Sequence, residues 1–224
     1  MAPLLNDDIK AQVTEMLTAL DSELAVYFFG TKEENCEYCE DTQQLIAEVS
    51  ALSGKIDFQT FDIDDASDMA EKYKIDKTPM TLIARKDGDA IVDYGIRYAG
   101  IPAGHEFSSL IHTLTLVSSG ESGLSDKTKK ELDGLNHDVR IQVFVTPTCP
   151  YCPPAVILAH QMALHSSRVS AEMVEATEFP ELSMRYGVSG VPHTILNEGA
   201  GELVGAGPEE MLMEQIRKVK QVGL

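Results

Sequence analysis

The sequence is short of positive charge, has no tryptophan and lacks any long apolar run. Lys and Arg number 18 against 36 Asp and Glu, which gives a formal net charge of -18 at pH 7. Because a nucleic-acid-binding surface needs clustered Lys and Arg to neutralise phosphates, this balance argues against nucleic acid as a partner. No apolar run approaches the roughly 20 residues that span a bilayer, so we expect no membrane-spanning segment. The N-terminus lacks the basic and then apolar character of a signal peptide, which predicts a cytoplasmic protein.

Cysteine is scarce as well, and all four cysteines lie in two CxxC motifs. Cys36-Glu37-Tyr38-Cys39 recurs 113 residues later as Cys149-Pro150-Tyr151-Cys152. With 43% apolar residues in 224, each half of the chain has enough apolar sequence for a core without structural disulfides or metal. In a reducing compartment, paired cysteines are more often catalytic, redox-sensing or metal-binding than structural. The repeated motif therefore points to chemistry.

A proline follows each motif at the same distance. Pro79 comes 43 residues after Cys36, and Pro192 comes 43 residues after Cys149. At the start of a strand facing the motif, a cis X-Pro bond turns the preceding backbone groups outward, where they can pair with an extended substrate. We therefore expect both bonds to be cis. The predicted substrate-binding residues are Thr78, Pro79, Val191 and Pro192, together with Tyr38 and Tyr151 on the motif surface.

The hydrophobic pattern repeats one order of elements in both halves. The apolar runs Leu24–Phe29 and Val139–Val145 predict buried strands, and each leads through a polar loop to a CxxC that opens a helix. The N-terminus of a helix stabilises a thiolate, because unpaired N–H groups there carry a partial positive charge. This placement makes the first Cys of each motif, Cys36 and Cys149, the attacking thiol. Cys39 and Cys152 are then predicted to resolve the mixed disulfide.

A small polar stretch joins the two repeats. Residues 118–123 read Ser-Ser-Gly-Glu-Ser-Gly, a composition typical of a linker. The predicted domains are therefore residues 1–118 with the CEYC motif and residues 119–224 with the CPYC motif.

Two other interpretations of the cysteines stay open at this point. The four thiols of both pairs together could form a binding module for zinc or an iron–sulfur cluster. They could also form two idle or structural disulfides. Zinc ribbons usually place their pairs closer together and give no reason for two prolines at a fixed distance, so exchange chemistry is the favoured prediction.

These motifs resemble the thioredoxin superfamily. CPYC with Val191-Pro192 is similar to glutaredoxin, and the tandem arrangement and the segment Tyr94–Phe107 resemble the prokaryotic protein disulfide oxidoreductases. The resemblance implies an α/β protein of two tandem thioredoxin-like folds, each a central mixed β-sheet flanked by helices. It further implies redox-active disulfides Cys36–Cys39 and Cys149–Cys152 with no other cofactor. The implied activity is thiol–disulfide exchange with protein substrates, as reductase, oxidase or isomerase.

The resemblance also implies partners. Related proteins are recharged by a thioredoxin-reductase-like flavoenzyme, and peroxiredoxins are among the expected clients. A monomer or weak homo-oligomer is expected. The chain departs from thioredoxin in having no Trp before the motif and no buried acid within Leu24–Phe29 or Val139–Val145, so the group that serves the resolving cysteine is not identified by the sequence. The acidic pair with which many glutaredoxins grip glutathione is not evident around Gly205-Ala-Gly207.

Acidic residues surround the first motif but not the second. Glu33, Glu34, Glu37, Glu40 and Asp41 lie near Cys36, whereas Thr and Pro flank Cys149. Nearby carboxylates disfavour a thiolate. We therefore predict the lower pKa and most of the turnover for Cys149.

Overall fold

Eight α-helices and nine strands form in the computed structural model, which describes residues 3–32 and 36–219. The helices are α1 (Asp7–Leu17), α2 (Cys39–Ser50), α3 (Ser67–Lys72), α4 (Glu106–Ser119), α5 (Asp126–Asp133), α6 (Cys152–His165), α7 (Pro180–Arg185) and α8 (Glu209–Lys218). The strands are β1 (Leu24–Gly30), β2 (Ile56–Asp62), β3 (Met80–Asp87), β4 (Ala90–Val92), β5 (Ile96–Ala99), β6 (Val139–Val145), β7 (Val169–Glu175), β8 (His193–Leu196) and β9 (Gly201–Val204).

Side-chain caps fix the starts of the first helix in each half. The Asn6 side chain accepts a hydrogen bond from Ile9 N at 2.9 Å, and the Ser125 hydroxyl accepts one from Thr128 N at 3.3 Å. These bonds satisfy N–H groups that have no partner within the helix.

All strands join one sheet in the order β2-β1-β3-β5-β7-β6-β8-β9, with β4 paired to β3. Strands β1, β2, β5, β6 and β7 run in the same direction, whereas β3 and β8 run against them. The carboxyl ends of β1 and β6, which precede the two CxxC motifs, therefore lie along the same edge of the sheet.

The two halves meet at β5 and β7. These strands pair in parallel from Ile96 with Ala171 to Ala99 with Val174. The α/β fold with helices on a central mixed sheet is the one predicted, but the sequence predicted neither β5 nor a sheet continuous through both halves. The reason is that β5 has four residues and its partner is more than 70 residues away in sequence.

The core lies on both faces of this sheet. Helices α1, α2, α4, α5, α6 and α8 cover one face with a large aliphatic core drawn from both halves. The short helices α3 and α7 cover the other face, where Tyr27, Phe29 and Tyr73 pack with edge or tilted ring contacts. In the part of the chain that the structure describes, no helix is long and apolar enough to cross a membrane.

Candidate redox sites

Both CxxC motifs form disulfides at helix starts. Cys36 pairs with Cys39 and Cys149 with Cys152, with Cα–Cα distances of 5.4 and 5.6 Å. Helix α2 begins at Cys39 and α6 at Cys152, so the first Cys of each pair lies just outside the helix. The pairing and the helix positions agree with the sequence prediction.

The exposure of the sulfur-bearing residues differs between the sites. Cys36 is partly exposed and Cys39 is 6% exposed, whereas Cys149 is 8% exposed and Cys152 is fully buried. In each pair the first Cys is the more accessible, which is the order expected for attacking and resolving thiols. The greater exposure of Cys36 favours reaction at the first site. That Cys149 has the lower pKa and carries most of the turnover therefore stays a prediction. Glu33 and Glu34, part of the predicted acidic surrounding, lie outside the described residues.

Each proline lies across from the strand that carries its motif. The Thr78-Pro79 and Val191-Pro192 bonds are both cis, as expected. In the β1–β3 pair Phe29 is opposite Met80, and in the β6–β8 pair Phe144 is opposite His193. Each proline is therefore one residue beyond the last paired position, beside the loop that leads to Cys36 or Cys149.

The two prolines have matching backbone partners. The Pro79 carbonyl accepts a hydrogen bond from Gly100 N at 2.9 Å, and the Pro192 carbonyl accepts one from Gly205 N at 2.8 Å. Both glycines have positive φ, a conformation that a side chain disfavours. Thr78 and Val191 are partly exposed beside the prolines, and the rings of Tyr38 and Tyr151 are 37% and 71% exposed. All six predicted substrate-binding residues thus lie near the two disulfides, three at each.

His193, directly after Pro192, is part of the strand interior. It is 3% exposed, and its Nε2 is 2.8 Å from Glu202 Oε1 on β9. This contact connects the imidazole on β8 to the carboxyl group on β9.

Buried acids occur where the sequence predicted none. Glu106, the first residue of α4, is 1% exposed. Its Oε2 accepts a hydrogen bond from the Ser109 hydroxyl at 2.5 Å, while Oε1 has no partner. Burial raises the pKa of Glu106 to about 7. One residue earlier, His105 N donates to the Pro147 carbonyl at 2.9 Å, which ties this helix start to the loop before Cys149.

Glu106 begins a chain of buried polar groups between α4 and α6. Tyr98 Oη lies 3.4 Å from the Ser109 hydroxyl and 2.9 Å from the Thr113 hydroxyl, which in turn lies 2.9 Å from His160 Nδ1. Burial lowers the pKa of His160 to about 3, so the imidazole is neutral at pH 7. Burial raises the pKa of the Tyr98 phenol, which stays protonated.

A second acidic group lies where β7 ends. Glu175 is 1% exposed, and its Oε2 accepts hydrogen bonds from the Thr177 hydroxyl and from Glu178 N. The Glu178 carboxylate accepts a bond from Ile101 N of the first half at 2.7 Å. Burial raises the pKa of Glu178 to about 7, and the negative charges of Glu175 and Glu37 add to the increase. A signal existed for Glu175, since an acid that directly follows the apolar pair Met173-Val174 in a strand needs a partner when it is buried. No such signal marked Glu106 or Glu178.

The geometry does not support one metal site built from all four thiols. Strands β3, β5 and β7 separate β1 from β6, which places the two strand ends about 19 Å apart at ~4.8 Å per strand. Each pair of sulfurs is bonded within its own motif. Residues 3–32 and 36–219 contain no group of three or more His, Cys, Asp or Glu arranged to hold a metal ion.

Sequence comparisons relate the chain to redox proteins. Residues 139–219 match the thioredoxin domain family. An NADH dehydrogenase of Bacillus subtilis (strain 168) is 24% identical over 213 residues, covering 95% of this chain and 37% of that protein. The alkyl hydroperoxide reductase protein AhpF of Staphylococcus aureus (strain Mu50 / ATCC 700699) is 25% identical over 205 residues, covering 91% of this chain and 36% of that protein. The chain thus spans little more than a third of the length of these curated relatives.

Structure comparisons cover nearly the whole chain. A protein disulfide oxidoreductase from Aeropyrum pernix K1 is 31% identical with a TM-score of 0.84, covering 93% of this chain and 90% of that one. A structure of the alkylhydroperoxide reductase protein AhpF from Enterococcus faecalis (V583) is 26% identical with a TM-score of 0.84, covering 94% of this chain and 98% of that one. Both similarities extend through the two repeats and the junction between them.

Proposed function

The chain belongs to the protein disulfide oxidoreductases of the thioredoxin fold, and we propose that it exchanges dithiols and disulfides with other proteins at Cys36–Cys39 and at Cys149–Cys152. The observation that carries this proposal is the repeated arrangement at one sheet edge. Each disulfide lies at a helix start, and each has a cis proline beside it that directly precedes a strand paired with β1 or β6. Such a site combines a stabilised thiolate with a backbone edge for an extended client.

The exchange proceeds in two balanced steps. In the reducing direction, the thiolate of the first Cys attacks a client disulfide, one client sulfur joins the enzyme, and the other leaves as a thiolate that takes up a proton. The second Cys then loses its proton and attacks the mixed disulfide. The client leaves as a dithiol, reduced by two electrons, and the site becomes a disulfide. The same steps in reverse oxidise a client.

The second site needs a group that exchanges a proton with its resolving cysteine, and Glu106 is our candidate. Its pKa of about 7 allows it to give and take a proton near neutral pH. The bond between His105 N and the Pro147 carbonyl places the start of α4 against the loop that leads to Cys149. The carboxylate oxygen without a partner leaves one position free for that proton.

The electron donor and one class of client are proposed from the relatives. Proteins named NADH dehydrogenase and alkyl hydroperoxide reductase contain a region like this chain within a longer polypeptide. We propose that a thioredoxin-reductase-like flavoprotein reduces the two disulfides here and that a peroxiredoxin is among the clients. A cytoplasmic location fits this assignment.

Insulin reduction by the chain and its cysteine variants tests the exchange activity. We expect Cys36→Ser and Cys149→Ser each to retain part of the dithiothreitol-driven rate and the double variant to fall to the uncatalysed rate. A double variant as active as the parent would refute the assignment of these cysteines. The same comparison tests the predicted predominance of the second site, since a greater loss from Cys36→Ser than from Cys149→Ser contradicts it.

A further inference from the structure

Glu178 belongs to the second half of the chain but contacts the first half behind Pro79. Its carboxylate accepts the hydrogen bond from Ile101 N, one residue after Gly100, and Gly100 N donates to the Pro79 carbonyl. Two short hydrogen-bonded steps along one backbone segment therefore connect this acid to the cis proline of the first site.

The packing around Gly100 leaves no room for a side chain at that position. A Cβ atom at Gly100 would lie 2.6 Å from Glu175 Cβ and 2.8 Å from Glu178 Oε1. Only a residue without a side chain allows the two acids to approach the backbone so closely. The Glu178 side chain therefore packs directly against the Gly100–Ile101 backbone, which is hydrogen-bonded to the Pro79 carbonyl.

Two negative charges raise the pKa of Glu178 further. Glu175 faces it from the end of β7, and Glu37 faces it from the first motif, one residue after Cys36. Among residues 3–32 and 36–219, no Lys, Arg or His forms an ion pair with Glu178. Glu178 Oε2 is buried and has no hydrogen-bond partner. Few favourable contacts offset the cost of burying this carboxylate. Its charge also interacts with that of Glu37 in the first motif.

We infer that Glu178 is a positioning residue of the first redox site, which holds the backbone behind Pro79 and, when ionised, disfavours the Cys36 thiolate. This inference rests on the proposed exchange activity. The pKa of the attacking thiol in the first half would then depend on the ionisation of an acid in the second half.

The sign of the effect follows from the charges. Below about pH 7 Glu178 is mostly protonated and adds no charge near Cys36. Above that pH the carboxylate forms, and its repulsion raises the pKa of the Cys36 thiol. Glu178 contacts Ile101 just beyond β5, and β5 is two strand steps, about 10 Å, from β1, the strand that leads to Cys36. A unit charge at that distance changes an ionisation constant by about two-fold at the dielectric constant of bulk water and by about sixteen-fold at the effective dielectric constant near a protein surface.

The test uses a chain with only the first site, carrying Cys149→Ser and Cys152→Ser, in which Glu178→Gln is introduced. Glutamine keeps an oxygen that can accept the bond from Ile101 N but has no charge. We expect the pKa of the Cys36 thiol in the reduced protein, followed by thiolate absorbance, to fall by about 0.3 to 1.2 units. The rate of alkylation of Cys36 should be unchanged near pH 6 and about two- to sixteen-fold faster at a higher pH below the thiol pKa.

Two further variants separate charge from structure. Glu178→Ala removes both the charge and the acceptor, so we expect slower exchange with a client at every pH. Glu181→Gln, an exposed acid on the following helix, should change nothing. An identical thiol titration in the parent and in Glu178→Gln would overturn the inference. Because the titration requires no client, it reports on Glu178 even if insulin reduction fails and the proposed function is wrong.

Discussion

Buried titratable residues accompany the two disulfides, and a pair of purely structural disulfides would not need them. Glu106 and His160 are both almost fully enclosed; the His160 imidazole is neutral at pH 7, and the Glu106 carboxyl group is mostly protonated below about pH 7. The hydroxyls of Ser109, Tyr98 and Thr113 connect them. A buried polar chain of this kind stabilises the fold only while its members stay neutral, because burying a charge costs more than the hydrogen bonds return.

Glu106→Gln should therefore raise stability at high pH. The folded-state pKa of Glu106 is about 7, above its ordinary value of 4.5, so the folded protein retains a proton that the unfolded chain releases. The stability of the parent decreases as the pH rises from about 4.5 and levels off above about 7. Glutamine does not titrate, so the stability advantage of the variant should grow by an amount on the order of 2–3 kcal/mol between about pH 5 and pH 8.

Urea denaturation of parent and variant across this pH range measures the difference directly. Glu121→Gln, a change at an exposed acid, serves as the control and should show no pH-dependent difference. A constant offset between parent and Glu106→Gln at all pH values would mean that the Glu106 carboxyl group has the same pKa in the folded and unfolded protein.

At the scale of elements, local pattern predicted the two buried strands that lead to the motifs. The strand Val139–Val145 was predicted with its observed bounds, and the first strand differs by one residue, because a continuous apolar run specifies a strand buried on both faces. Helix starts at the two motifs were also predicted. The missed features are non-local: β5 with Arg97 in its middle, its pairing with β7, and the acids that each half places against the other. Periodicity reports on burial along one segment and carries no information on which distant segment covers it.

The loop between β5 and α4 is the element by which the first half supports the second site. Gly104 has φ of +60°, and a Cβ there would overlap the Pro147 carbonyl, two residues before Cys149. Gly104→Ala should therefore displace the loop before Cys149, with destabilisation of at least about 2 kcal/mol from the left-handed backbone and the overlap combined. Exchange at the second site should fall, whereas exchange at the first site should be spared.

Gly88→Ala is the matched control for this change. Gly88 also has φ of +60°, but no atom lies within 4 Å of the Cβ position. Gly88→Ala should therefore lower the free energy of unfolding by only the cost of the left-handed backbone, about 1 kcal/mol, and leave exchange at both sites unchanged. Equal effects of the two substitutions on stability and on alkylation of Cys149 would show that the contact with Pro147 has no role at the second site.

At the scale of the whole molecule, the continuous sheet sets how the two sites can cooperate. Both disulfides lie at one edge, but their strand ends are about 19 Å apart. Thiol–disulfide exchange requires direct contact between sulfurs, so electrons cannot pass from one site to the other within the structure described. The two sites are instead coupled through shared backbone and charge, since Glu178 lies against the first site and Gly104 against the second.

Separating the halves should therefore impair both sites. Fragments 1–118 and 119–224 would each expose a strand, β5 or β7, that is hydrogen-bonded at the centre of the intact sheet, together with the apolar surfaces of α4 and α6. Unpaired strands and apolar faces of this kind promote self-association. We expect each fragment alone to aggregate or to exchange slowly, and an equimolar mixture refolded together to recover most of the insulin-reducing rate of the intact chain. Size-exclusion chromatography and insulin reduction measure both outcomes. If each fragment is a monomer with the thiol pKa and exchange rate that it has in the intact chain, the acids and glycines at the junction have no part in the chemistry.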